Sequence, residues 1–262
     1  MATTLFIDAQ NLLVSMALIT PRSYICLAIL PCFGSRTLVG IIRNAVAIAI
    51  ALPALLPTYT FVQEIQPGYL LAGALAFKEA AIGGMLGVLL AMPIWVAQAI
   101  GSILDAQRSP IQIQSNSDPD ASATGSLLMQ AVVVVMIQAG LLVPLVRITI
   151  DSYGIWPAFS LMPPFETGHM EVVMQRFGEF FWHIVVYGGP VIIPLLLIDF
   201  GFAIIGVFAS GLQVSFASSP IKSLTGLFIL LAYFATLSHY VNNDFAHMLD
   251  LAAQLLQAGG RP

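Results

Sequence analysis

The residues best placed to do chemistry in this sequence are ionisable groups inside long apolar stretches: Arg22, Arg43, Lys78, Glu79, His183 and Asp199. A charge in such surroundings is costly unless it is paired, hydrated or put to use. Two chemistries fit. The groups could relay a proton or an ion, or they could pair across helices or subunits and fix register. Lys78 and Glu79 are sequence neighbours, and adjacent helical positions point about 100° apart. They are therefore expected to meet different partners and not each other. Near the C-terminus, His239, Asp244 and His247 gather loosely, which reads as a solvated helix end in preference to a metal site. Cys26 and Cys32 have no further Cys or His at zinc spacing, so they are expected to act as buried small hydrophobes. No GxxxxGK, HExxH, GxSxG or paired CxxC occurs. Without a nucleophile–base pair or a ligand set, the reading is not an enzyme, with no metal and no cofactor.

The elements that must hold these groups are set by composition. The chain of 262 residues is 58% hydrophobic and 8% charged, with a mean hydropathy of +0.92. An ordinary soluble domain carries about 25% charged residues. The class is therefore an integral membrane protein, or a protein buried in a large apolar assembly. A net charge of −4 with no run of Lys or Arg argues against nucleic acid as a partner. The N-terminal MATTLFIDAQNLLV lacks a basic region before Arg22 and reads as the start of the first apolar helix, not as a signal peptide.

A bilayer crossing takes roughly 20 apolar residues as a helix. Six stretches approach or exceed this: Leu12–Leu30, Leu38–Pro57, Tyr69–Leu104, Leu127–Ile150, Phe180–Leu212 and Leu224–Leu237, the last with a continuation toward Leu256. The fold class is all-α, a polytopic membrane-type protein of kinked helical hairpins. Pro21, Pro53, Pro93, Pro144, Pro190 and Pro194 fall inside these stretches and are expected to kink or break them. Polar connections are expected at Thr58–Gly68, Asp105–Ser126, Asp151–Glu179 and Gln213–Ser223, the last carrying Lys222. Basic residues fall in connections on both sides, so the positive-inside rule does not orient the chain. Small residues recur every four positions at Ala76/Ala80/Gly84, Gly83/Gly87, Ala97/Gly101 and Gly206/Ser210. Such faces permit close helix approach, within the chain or against another subunit.

The polar insert at the middle of the chain is RSPIQIQSNSDPDASATGS, Arg108 to Ser126. Ile111-Gln112-Ile113-Gln114 alternates apolar and polar, as an extended segment does. Asn116, Asp118-Pro119 and Gly125 are turn formers. On residues alone this is a solvated surface loop.

FKEAAIGGMLGVLLAMPIWVAQAIGSILDAQRS, Phe77 to Ser109, resembles a signature of the type III secretion export apparatus T subunit, the SctT/FliR family. IIRNAVAIAIALP, Ile41 to Pro53, is similar to a family segment at the same place. So is Asp118-Pro119 following Gln107-Arg108. VIIPLLLIDFGFAIIGVFASGLQVSFASSPIKS, Val191 to Ser223, resembles the family's C-terminal hairpin. The Gln107-Arg108 pair and the KEAAIGG run look more like the injectisome branch than the flagellar one.

The resemblance implies an export gate of R, S and T subunits, commonly five R, four S and one T, in the bacterial inner membrane. Unfolded secreted proteins would pass through it, the U subunit would dock nearby, and part of the assembly would lie above the membrane plane on the periplasmic side. It implies one export-gate domain over 1–262, with an R-like part at 1–179 and an S-like hairpin at 180–262. It implies a pore-facing plug loop at 108–124, carried by Arg108, Ile111, Gln112, Ile113, Gln114, Asn116, Asp118 and Pro119. Arg22, Arg43, Lys78, Glu79, Asp199 and Lys222 are then intramembrane or intersubunit polar positions. The alternative reading is a secondary transporter or channel for a small solute, which would show paired broken helices in two repeated halves.

Overall fold

A computed structural model describes residues 2–34, 39–108, 122–161, 168–208 and 214–259. Among them the chain is all-α, with eight helices: α1 (Ala2–Ile29), α2 (Gly40–Ala51), α3 (Leu55–Ile65), α4 (Tyr69–Arg108), α5 (Ala123–Gln138), α6 (Leu142–Ile155), α7 (Gly168–Phe208) and α8 (Val214–Gly259). Five stretches are long and apolar enough to cross a membrane, and the α5/α6 pair makes a sixth if taken as one broken span. The chain is a multi-pass membrane-type protein. With little water available, every backbone donor and acceptor must be satisfied inside the segment. This drives even the β-branched run of α5, AVVVV, into helix.

Most of the prolines leave the helix hydrogen-bonded on both sides of them. Pro21, Pro93, Pro190 and Pro194 sit inside continuous helices. Only Pro53 coincides with a lapse, the short 3-10 turn Leu52–Ala54 between α2 and α3. The break between α5 and α6 falls at Gly140, whose φ of +76° suits glycine, and Pro144 lies beyond it in the first turn of α6.

The polar connections are shorter than expected. Thr58–Ile65 is helical in α3, which ends at Gln66 in the left-handed region (φ 44°). The first residues of Asp151–Glu179 finish α6 and its last twelve begin α7. Lys222 lies within α8 and not in a loop. Buried hydroxyl groups in these helices are satisfied within the helix. Thr58 donates to the Ala54 carbonyl at 2.8 Å and Thr149 to the Leu145 carbonyl at 3.0 Å, one turn back in each case.

The chain forms two compact units. The first comprises Met1–Ala91, Gly140–Val173 and Phe245–Pro262. Here α1 is the centre. Ile19 packs with Ala51, Ala54, Tyr153 and Ala158, and Leu18 packs with Val62 and Leu75. Phe61 stacks on Phe159 with centroids 5.5 Å apart. Gly83 and Gly87 of α4 lie directly on the α1 backbone at Arg22 and Cys26, so this small-residue face is used within the chain. Cys26 and Cys32 are free and buried, and burial pushes the Cys32 thiol up to about 11, which leaves it unreactive.

The second unit comprises Met92–Ala139 and Met174–Asp244. Ala97, Ile100 and Leu104 of α4, Val132 of α5, Val191 and Leu195 of α7, and Leu237 and Val241 of α8 are all fully buried. The glycines permit close approach: Gly226 of α8 receives the Leu104 side chain of α4. The outer face of α7 is apolar and open, with Phe200 66% and Phe208 86% exposed. Such a face suits lipid or protein cover and not water.

Candidate functional site

The first unit encloses a cluster of charges. Arg22 of α1 and Glu79 of α4 are both fully buried. Arg22 Nη2 donates to Glu79 Oε1 at 2.8 Å, and Nε lies 2.8 Å from Oε2. The guanidinium thus faces the carboxylate side-on, although the Nε–H itself is poorly aimed for a hydrogen bond. The remaining Arg22 donors reach the end of α6. Nη1 donates to the Ser152 carbonyl at 2.7 Å and Nη2 to the Trp156 carbonyl at 2.7 Å. The cation also lies 4.3 Å from the Tyr153 ring centroid.

Lys78 completes the cluster, and here the structure overturns the expectation from helical geometry. Its Nζ lies 2.7 Å from Glu79 Oε1. Adjacent Cβ atoms do diverge, but the long lysine stem curls back to a carboxylate that Arg22 holds in place. The ammonium also donates to the carbonyls of Pro157 (2.9 Å), Ala158 (3.3 Å) and Ser160 (2.8 Å). Two cations and one anion leave an excess positive charge. It sits where α6 ends and five carbonyls, those of Ser152, Trp156, Pro157, Ala158 and Ser160, converge, the electronegative end of the helix. Of the two chemistries open at the outset, these contacts match pairing across helices. Arg22, Lys78 and Glu79 fasten α1, α4 and the segment after α6 to one another.

Other ionisable groups are paired too. Lys222 of α8 meets Asp199 of α7 at 2.8 Å. His183 Nδ1 lies 2.9 Å from Asp244 Oδ2, and the Tyr187 hydroxyl donates to Asp244 Oδ1 at 3.0 Å. Asp244 therefore turns inward to α7, contrary to the expected solvated helix end. His239 is held by Asn243 of its own helix at 3.1 Å. Arg43 reaches the Tyr24 hydroxyl at 3.4 Å. Sequence reading missed His183–Asp244 because the partners are 61 positions apart on different helices, and only the α7/α8 packing brings them together.

The polar insert is framed by a second site. Arg108 ends α4. Ile111, Gln112, Ile113, Gln114, Asn116, Asp118 and Pro119 lie outside the described residues. The return point is well defined: Ser122 is the N-cap of α5, its hydroxyl accepting from the Gly125 N–H at 2.9 Å. Residues 123–126, expected in the loop, are thus the first turn of α5. Asp105, one turn before the end of α4, binds this turn. Its Oδ2 accepts from the Ser122 hydroxyl at 2.8 Å and the Thr124 N–H at 2.9 Å, and its Oδ1 from the Thr124 hydroxyl at 2.5 Å. Gly101 lies against Gly125 so closely that a Cβ there would be 2.6 Å from the Gly125 Cα. The DAQR run drew attention to this region, but Asp105 itself was not singled out. Its carboxylate beside a Ser-x-Thr-Gly start is the signal that could have found it.

Among the described residues, no group of three or more His, Cys, Asp or Glu side chains is arranged to hold a metal ion. Comparison with known proteins adds a family. Residues 13–248 match the bacterial export proteins, family 1. The chain is 26% identical over 256 residues to Yop proteins translocation protein T of Yersinia pestis, covering 94% of this chain and 96% of that protein. It is 29% identical over 237 residues to surface presentation of antigens protein SpaR of Salmonella typhimurium, covering 88% and 87%. The flagellar biosynthetic protein FliR of Bacillus subtilis is 26% identical over 204 residues, covering 75% and 76%.

Proposed function

Since the chain belongs to the bacterial export proteins, family 1, we propose that it is the T subunit of a type III export gate in the bacterial inner membrane. The observation that carries this is the length of the match: the family extends from residue 13 to residue 248, through every span and across the polar insert. The Yersinia pestis and Salmonella typhimurium relatives cover 94% and 88% of the chain and the flagellar one 75%, which favours the injectisome branch. As such a subunit it assembles with R and S subunits, five R and four S to one T, near a U subunit, and in part above the membrane plane. It has no catalytic role. Residues 1–179 form the R-like part and residues 180–262 the S-like hairpin. The open apolar face of α7 supports a chain that needs lipid or protein cover.

The insert expected at 108–124, shortened by the start of α5 to the residues before Ser122, contributes the plug, with Arg108, Ile111, Gln112, Ile113, Gln114, Asn116, Asp118 and Pro119 facing the path of unfolded secreted proteins. A polar insert with few large apolar side chains offers little apolar surface to bury, so a passing polypeptide can displace it. Co-expression with R and S subunits should yield a stable complex with one copy of this chain. A self-sufficient monomer that binds a small solute would overturn the assignment. Deleting Ile111–Ala121 should raise the small-ion permeability of the assembled gate severalfold while assembly stays normal. Normal assembly with unchanged permeability would remove the plug role.

A further inference from the structure

We infer that Asp105 is a positioning residue for the polar insert, fixing where the chain leaves α4 and where it enters α5. The inference rests on the plug reading for its functional consequence and on geometry for everything else. One carboxylate receives the Ser122 hydroxyl, the Thr124 hydroxyl and the Thr124 N–H. It stands three residues before the end of α4 and binds the N-cap and second residue of α5. Both ends of the insert are therefore tied at one point, although 17 positions separate Asp105 from Ser122.

Two further features make this a built junction. Ser122 caps α5 from within, through Gly125, while Asp105 supplies a negative charge to the same helix start from another helix. Beneath them, Gly101 and Gly125 bring the two backbones together at a distance no larger side chain permits. An insert tied in this way has a fixed root.

The test uses the assembled gate reconstituted in liposomes, with wild type, Asp105→Ala, Asp105→Asn, the Ile111–Ala121 deletion, and Leu75→Ala as a destabilised control remote from the junction. Amide exchange reads the junction itself. Asp105→Ala should speed exchange of the Thr124 amide about tenfold, the size of a lost helix cap, with Asp105→Asn intermediate because it keeps one acceptor oxygen. Unchanged exchange in Asp105→Ala would overturn the inference. Potassium efflux reads the consequence. Asp105→Ala should leak more than wild type and less than the deletion, with Asp105→Asn partly restored and Leu75→Ala at the wild-type level. If the deletion leaks and Asp105→Ala does not, Asp105 is only a helix cap and the positioning role is lost while the plug stands. If the deletion does not leak, the plug reading fails, and exchange alone then decides whether Asp105 ties the two ends.

Discussion

Glu79→Gln is expected to be the most destabilising single polar substitution in the first unit. The amide keeps the shape of the carboxylate but removes its charge. Arg22, fully buried, and Lys78, 9% exposed, would then face each other without a counter-ion. Breaking a buried pair by removing one partner costs about 3–5 kcal/mol, against a total stability of about 5–15 kcal/mol for a typical domain. The thermal unfolding midpoint in detergent should fall sharply, and recovery of the chain in complex with its partners should fall with it. A midpoint equal to that of wild type would show that the cluster does not hold α1, α4 and α6 together.

Lys78→Met should cost less, because Glu79 keeps Arg22. Replacing all three charges by methionine should not restore wild-type stability, although apolar replacement often does so for buried ion pairs. Here the carbonyls of Ser152, Trp156, Pro157, Ala158 and Ser160 would lose the donors they now have.

Gly83→Ala should have the next largest effect, and Gly84→Ala almost none, although the two glycines are adjacent on α4. A Cβ on Gly83 would lie 2.2 Å from the Arg22 carbonyl oxygen and 2.8 Å from the Arg22 Cα. These are backbone atoms and cannot swing aside, so α1 and α4 must separate. Overpacking alone costs about 1–3 kcal/mol. The same displacement moves Arg22, drawing its guanidinium from Glu79, and the loss should reach the upper end of that range or pass it. At Gly84 the nearest atom is the Ile25 Cγ2 at 3.9 Å, an ordinary contact. There the better helix propensity of alanine, worth up to about 1 kcal/mol, should leave the protein unchanged or slightly more stable. Equal unfolding midpoints for the two variants would contradict the close crossing of α1 and α4.

The contrast between Gly83 and Gly84 also marks how far sequence reading goes. Both belong to small-residue repeats at four-residue spacing, and both were candidates for a close helix contact. Spacing states that a face is clear, while the partner depends on how α1 lies along α4. The insert divides in the same way. Its presence between Arg108 and Ser126, and its polarity, are plain from composition. That its last residues form the first turn of α5, tied back to Asp105, depends on a carboxylate 17 positions upstream. Most of the prolines interrupt no helix, since an apolar setting offers the backbone few alternatives to helix.

By itself, the sequence determined the class of this protein: all-α, membrane-type, with six apolar stretches and a central polar insert. These follow from composition and local periodicity, which act over a few helical turns and need no knowledge of neighbours. The export family entered separately, as a resemblance of whole runs of residues. Only the tertiary structure decided which charges meet. Arg22 with Glu79, Lys78 with Glu79 and the carbonyls after α6, His183 with Asp244, Asp199 with Lys222, and Asp105 with Ser122 and Thr124 depend mostly on contacts between distant segments. In an interior that penalises every unpaired charge, the packing of helices chooses the partners, and side-chain reach completes the pairs.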